Sequence, residues 1–309
     1  MKMALTLRDL HKRYGKVHAL NRLTLEIPQG VICGLVGPNG AGKTTAYGVI
    51  SGCIRPDSGT VDILGDGPFS VNKHRGRLSL LPQDCALNPH VPVRNLLIHF
   101  ARLQGLGARD ANQDADRVLD LVSLTDKATQ KIRALSHGMR RRLAVAQALL
   151  GQPELVLLDE PTSGLDPEQV VRLRDVFSAQ RGKRTLVISS HILSELEACC
   201  DHVVVMEAGK CVQHGPMDQI TQRGAQITIS LSDPPPMDTL ALAMPEVSFQ
   251  CIDNMLTAIA PATVTGAELT RGILPVLLES KVDVLEIRRG TSLEEAFMST
   301  RRLNTDSGV

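Results

Sequence analysis

The sequence predicts an α/β protein in two parts: a large domain on a buried parallel sheet, then a small C-terminal α+β domain. Three observations predict it. The apolar runs Val31–Val36 and Leu155–Leu158 have the unbroken hydrophobicity of strands covered on both faces. The first of them leads into a glycine-rich turn, and the segment from Lys43 to Gly52 reads as a helix closed by glycine. From Gln226 onward, strand and helix patterns recur in the order β-α-β-β-α-β, which suggests a ferredoxin-like sandwich.

The turn is Gly37-Pro38-Asn39-Gly40-Ala41-Gly42-Lys43-Thr44-Thr45, which fits the phosphate-binding pattern G-x-x-x-x-G-K-[ST]. Glycines let the backbone wind closely round an anion, and the amide N–H groups at a helix start point at it. Lys43 would neutralise the β- and γ-phosphates of a nucleoside triphosphate, and the Thr44 hydroxyl would ligate Mg²⁺. A glycine turn that binds nothing would not need Lys and Thr at these offsets.

The 309 residues allow one large domain or two smaller ones, and 43% hydrophobic residues supply ample core. Lys and Arg number 34 against 33 Asp and Glu, a net charge of +1, which argues against a general nucleic-acid-binding surface. With no Trp and two Tyr, stacking platforms for single strands are not expected. Seven scattered cysteines, without a C-x-x-C, read as free thiols of a reducing compartment, and Cys199-Cys200 as two buried small residues. Met1–Leu10 lacks the apolar core of a signal peptide, and no apolar run reaches the roughly 18 residues of a membrane span. The expectation is a cytoplasmic chain that meets a membrane only through a partner.

Taken in order, Leu5–Leu10 and Leu20–Ile27 alternate as antiparallel strands, with Tyr14 in the turn between them. On the residues alone Tyr14 reads as a turn tyrosine packing on the sheet. Arg55–Gly59 is a turn, Thr60–Leu64 a strand, and Leu78–Pro82 a strand that ends at Gln83. Arg94–Leu106, Ala115–Leu124 and Met139–Leu150 are helical, which makes residues from about 84 to 150 an inserted helical subdomain. Leu155–Leu158 then delivers Asp159 and Glu160 to the C-terminal edge of the sheet, where ligands bind in open α/β folds. Asp159 suits Mg²⁺ held through water, and Glu160 can orient or deprotonate an attacking water. Without the phosphate loop, both would read equally well as surface acids. A turn-rich loop runs from Pro161 to Pro167, a helix from Pro167 to Gln180, and a strand from Thr185 to Ser189. His191 follows that strand; in isolation it reads as a cap or core histidine. His202–Met206 and Lys210–His214 form a hairpin, and the large domain closes near Gly215-Pro216, dividing the chain at about 1–220 and 221–309.

Leu135-Ser136-His137-Gly138-Met139 completes an ordered set with Gly37–Thr45, Gln83, Asp159-Glu160, Ser163–Asp166 and His191. Over roughly residues 3 to 220 the chain resembles the ATP-binding subunit of an ABC transporter, a P-loop NTPase fold with an antiparallel β subdomain and a helical insertion. The resemblance implies ATP and Mg²⁺ as cofactors. It makes Tyr14 the adenine-stacking aromatic and Gln83 the residue that senses Mg²⁺ and the γ-phosphate. Glu160 becomes the catalytic carboxylate, His191 the switch histidine, and Ser163–Asp166 the loop that communicates across a dimer. It also implies that Ser136 and Gly138 cap the γ-phosphate bound by a second copy of the chain. The commonest signature is Leu-Ser-Gly-Gly-Gln; here His137 and Met139 depart from it. Ser136 can cap the helix that follows, and Gly138 lets its backbone approach an anion. Arg140-Arg141-Arg142 fans over most of a helical turn and reads as helix-surface charge rather than a nucleic-acid patch.

Similar C-terminal extensions occur in ATPases of ABC-2-type exporters, and here the extension reads as a stabilising lid or dimer contact. The expected function is an ATPase that powers a separate integral membrane permease at the inner face of the membrane. The rival class is a soluble ABC ATPase acting on ribosomes or DNA. Such proteins usually carry tandem nucleotide domains or long coiled-coil insertions, and neither stands here. Intact Lys43, Glu160 and His191 argue against a catalytically silent module.

Overall fold

The computed structural model describes residues 2–221, 226–261, 264–290 and 293. They fall into two compact units, Met1–His214 and Gly215–Val309.

In the first unit, β1 (Met3–Tyr14) pairs antiparallel with β2 (Val17–Pro28). Both strands run further than the alternation of 5–10 and 20–27 suggests. Register shifts around Leu7, Leu10 and His11, with Asp9 at a φ of 46°, break the period-two pattern while pairing continues. Tyr14 is therefore the last residue of β1, opposite Val17. The strand β3 (Ile32–Val36), buried throughout, leads through the glycine-rich loop into α1 (Lys43–Ile50). β4 (Ser58–Ile63) returns to pair with β1, completing a three-stranded sheet in the order β2-β1-β4. α2 (Val71–His74) is one turn long and precedes β5 (Leu78–Leu81).

The helical insertion holds α3 (Val93–Leu103), α4 (Ala108–Leu121) and α5 (His137–Ala148). α4 begins at Ala108 rather than Ala115; its first buried apolar positions are the alanines 111 and 115, whose small side chains give a weak apolar period. The sheet then resumes with β6 (Leu155–Leu158), α6 (Pro167–Ser178), β7 (Thr185–Ser190), α7 (Leu193–Cys199), β8 (His202–Glu207) and β9 (Lys210–Pro216). The six strands lie in the order β5-β6-β7-β3-β8-β9. β5, β6, β7, β3 and β8 are parallel, so the C-terminal ends of β3, β5, β6 and β7 share one edge. Between the two sheets lies a single core: Leu5, Leu7, Leu23 and Ile63 of the antiparallel sheet, Tyr47 and Ile50 of α1, and Leu155, Leu157 and Val187 of the parallel one. α1 is thereby clamped, and the loop before it is fixed.

The second unit opens with α8 (Met217–Ile220) and continues as β10 (Gln226–Leu231), α9 (Met237–Ala243), β11 (Ser248–Ile252), β12 (Met255–Ile259), α10 (Gly266–Glu279) and β13 (Val284–Arg289). Its sheet has the order β11-β12-β10-β13, all antiparallel, so the β-α-β-β-α-β sequence closes as a ferredoxin-like sandwich. Alternate residues Ile227, Ile229, Leu231, Leu256 and Ala258 are buried with Leu240 of α9 and Leu269, Ile273 and Leu277 of α10. The helix expected over Ser292–Ser299 lies outside the described residues, Leu293 excepted.

Thr265 caps α10 in a complete capping box: its hydroxyl accepts from the Glu268 N–H, and the Glu268 carboxylate accepts from the Thr265 N–H at 2.7 Å. Thr265→Ala should cost about 1 kcal/mol and lower the thermal midpoint of the full chain by a few degrees, as read by circular dichroism. An unchanged midpoint would show that the cap contributes nothing.

Candidate active site

Where β3 ends at Val36, the chain turns through Gly37–Gly42 against two backbones. A Cβ on Gly37 would stand 2.4 Å from the Met206 carbonyl oxygen, and one on Gly42 2.3 Å from that of Ala19. Gly42 also takes a φ of 100°, which an L side chain resists. Gly42 is the N-cap of α1 and offers no side-chain cap, so the first-turn amides remain for a ligand.

The loop forms one wall of a cleft of about 500 Å³, lined by Val17, Ala19, Asn39 to Thr45, Gln83, Glu160 and His191. Lys43 is buried, and its ammonium donates to the carbonyls of Gly37 (2.6 Å) and Pro38 (3.2 Å). Burial lowers its pKa, while the nearby Glu160 and Asp159 charges pull it back up. Asp159 is only 2% exposed and accepts from two hydroxyls, Thr44 at 2.8 Å and Ser189 at 2.6 Å. Ser189 in turn accepts from the Glu160 N–H at 2.9 Å. Glu160 stands at a φ of 47°, a left-handed conformation that costs a non-glycine residue about 1–3 kcal/mol and persists only where neighbours hold it. Its carboxylate lies 3.3 Å from His191 Nδ1.

These placements put Lys43, Thr44, Gln83, Asp159, Glu160 and His191 together on one sheet edge. Tyr14 is not among the cleft-lining residues. It is half exposed beneath the Lys12 ammonium, 5.5 Å from the ring centroid, while its register partner Val17 lines the cleft. Ser136, Gly138 and Asp166 do not line it either. Ser136 is the N-cap of α5 and accepts from the Met139 N–H at 3.2 Å. Asp166 caps α6, accepting from the Gln169 N–H at 2.9 Å and from its side-chain amide. That Gln169 amide lies on Gly138: a Cβ there would meet its oxygen at 1.5 Å.

Three residues escaped the sequence reading. Ser189, a hydroxyl at the end of an apolar strand, offered a faint signal through its position beside the acidic edge. Arg141 and Arg142 correct it, because the Arg140–Arg142 run is not simply helix-surface charge. Arg140 is exposed, but Arg142 is buried and donates to the carbonyls of Val122 (2.8 Å) and Ser123 (3.2 Å). Arg141 is half-buried and donates to main-chain carbonyls of Gln83, Asp159, Glu160 and Pro161. Helical spacing spreads three residues round the axis, so two of them turn inward.

The family described as ABC transporter matches residues 20–163. The daunorubicin resistance ATP-binding protein DrrA3 of Streptomyces coeruleorubidus is 33% identical over 96% of this chain and 95% of its own. The bacitracin transport ATP-binding protein BcrA of Bacillus licheniformis is 33% identical over 94% of each chain. The chain belongs to the ABC transporter family. As an ABC transporter protein it is an ATP-binding subunit that hydrolyses ATP. A Nod factor export ATP-binding protein I of Burkholderia orbicola is 39% identical over 67% of this chain and 69% of its own. A solved ATP-binding subunit of an ABC transporter superposes with a TM-score of 0.64 at 26% identity, covering 71% of this chain and 92% of that one. A dimeric ATP-binding cassette bound to ADP and Pi shares the fold, with a TM-score of 0.62 at 20% identity, over 69% of this chain and 98% of that one.

For this ABC transporter subunit, Lys43→Ala should reduce ATP hydrolysis by about a hundredfold or more, measured as phosphate release. Undiminished turnover would overturn the assignment of the phosphate loop.

Proposed function

We propose that the protein is the motor of an exporter: two copies close on Mg-ATP, hydrolysis reopens them, and the helical insertion passes the motion to a separate integral membrane permease. One observation carries the reading. The cleft gathers only part of the motif set, while Ser136, Gly138 and Asp166 stand on helix ends that do not line it. A second copy would supply that missing part, and the relatives named for daunorubicin resistance, bacitracin transport and Nod factor export support the export direction. No described helix is long and apolar enough to cross a membrane, so a membrane path would belong to the partner.

The donor set fits Mg²⁺. The Thr44 hydroxyl and the Asp159 carboxylate are hard oxygen ligands already 2.8 Å apart, and Gln83 lines the same cleft. Mg²⁺ is usually held by one or two carboxylates together with substrate phosphates, and when bound it neutralises phosphate charge. Lys43 and the first amides of α1 take the β- and γ-phosphates, and Glu160, braced by Ser189 and adjoining His191, aligns water for in-line attack. Tyr14, one register step from the cleft, stacks on the adenine.

Glu160→Gln should bind Mg-ATP, hydrolyse it slowly and sediment as a dimer; a monomer at saturating Mg-ATP would sink the paired-site scheme. Deleting residues from Gly224 onward should leave nucleotide affinity within about twofold of wild type, since among the described residues no cleft residue lies in that part. Loss of all ATP binding, by a fluorescent-nucleotide titration, would contradict the division of labour between the two units.

A further inference from the structure

We propose that Arg141 is a positioning residue that locks Glu160 to the helix carrying Ser136 and Gly138, so that the carboxylate is set for hydrolysis by the seating of that helix. The inference rests on the reading of Glu160 as the catalytic carboxylate.

One guanidinium serves four main-chain carbonyls. Arg141 Nε donates to Pro161 at 3.0 Å, Nη1 to Gln83 at 3.0 Å, and Nη2 to Asp159 at 3.1 Å and to Glu160. The acceptors sit on two separate segments, one after β5 and one after β6, brought side by side because those strands are parallel neighbours. Residues 159–161 are the turn in which Glu160 adopts its left-handed backbone. Two side chains hold that turn by its peptide groups. Ser189 accepts from the Glu160 N–H and is itself fixed by Asp159, so this hold belongs to the sheet. Arg141 takes the carbonyl side, and it comes from α5 in the helical insertion.

The conformation of Glu160 therefore depends on two bodies, the sheet and the insertion. Gln83 joins them: its carbonyl accepts from Arg141 while the residue lines the nucleotide cleft. Gly138 lies three residues before Arg141, less than one turn along the same helix. A shift of that helix end displaces the guanidinium and, with it, the carbonyls that frame Glu160. A planar fork with five donors can serve four carbonyls; a lysine ammonium has three donors at one point and cannot reproduce the span.

The test compares Arg141→Gln and Arg141→Lys with wild type in the full chain. For Arg141→Gln, kcat should fall roughly ten- to a hundredfold, the cost of a misplaced catalytic group, while KM for Mg-ATP stays within about twofold. Arg141→Lys should lie between. Added to Glu160→Gln, Arg141→Gln should lower the residual rate no further, because it acts through the carboxylate already removed. Amide hydrogen exchange in Arg141→Gln should rise in 83–87 and 159–163 and stay unchanged in 37–45. Equal loss in the Glu160→Gln background, or unchanged exchange at 159–163, would overturn the proposal. A wild-type chain that binds Mg-ATP without turning it over would instead overturn the motor reading, and the exchange measurement separates the two failures.

Discussion

The geometry of this protein's site depends on one buried carboxylate. Asp159 is nearly inaccessible and accepts from the hydroxyls of Thr44 and Ser189. An ionised carboxylate in such a place is costly unless it is hydrogen-bonded, and charge-assisted bonds from two hydroxyls are strong ones. Each of its partners comes from a different element: Thr44 from the start of α1, Ser189 from the end of β7, and Asp159 itself from the end of β6. The carboxylate thus ties the phosphate loop to the acidic edge, and through Ser189 it also reaches the Glu160 peptide. The tie is possible only because β3, β6 and β7 are parallel and adjacent, with their C-terminal ends on one side.

Lys43 completes the electrostatics. Its ammonium rests on the carbonyls of Gly37 and Pro38, two residues of the loop it serves. Burial lowers its pKa, and the Glu160 and Asp159 charges offset only part of that shift. A triphosphate brings more negative charge than two neutral carbonyls offer, and it competes for the same donors.

What was legible in the sequence follows from the range of each interaction. The phosphate loop was readable from its own residues, Asp159-Glu160 became readable beside it, and His191 only through the resemblance of the whole motif set. The sheet order needed tertiary information, yet the strands themselves were marked by unbroken hydrophobic runs. Tyr14 was hidden by the bulges in β1, which disguise a long strand as a short one followed by a turn. Arg141 and Ser189 were hard to read for another reason: their partners lie 18 to 58 and 29 to 30 residues away. Nothing local distinguishes an arginine that reaches back to a strand end from one that faces water. The first turns of α4 were missed because buried alanines carry little hydrophobic signal.

The patch formed by α5 and α6 shows the same economy in reverse. Gly138 has no side chain, and the space is taken by the Gln169 amide, whose oxygen is buried without a hydrogen-bond partner. A buried acceptor left unsatisfied costs about 1–3 kcal/mol, so the arrangement in the lone chain is not its best. Gln169 is held at its nitrogen by Asp166, the cap of α6. The oxygen itself makes no hydrogen bond that its displacement from Gly138 would break. In the proposed pair, a phosphate arriving at Gly138 would meet a neighbour that gives way cheaply, while the backbone amides of α5 stay fixed by the Ser136 cap. In that pair the anion would be offered the backbone at Gly138 and the Ser136 cap, not the side chains at the departing positions His137 and Met139.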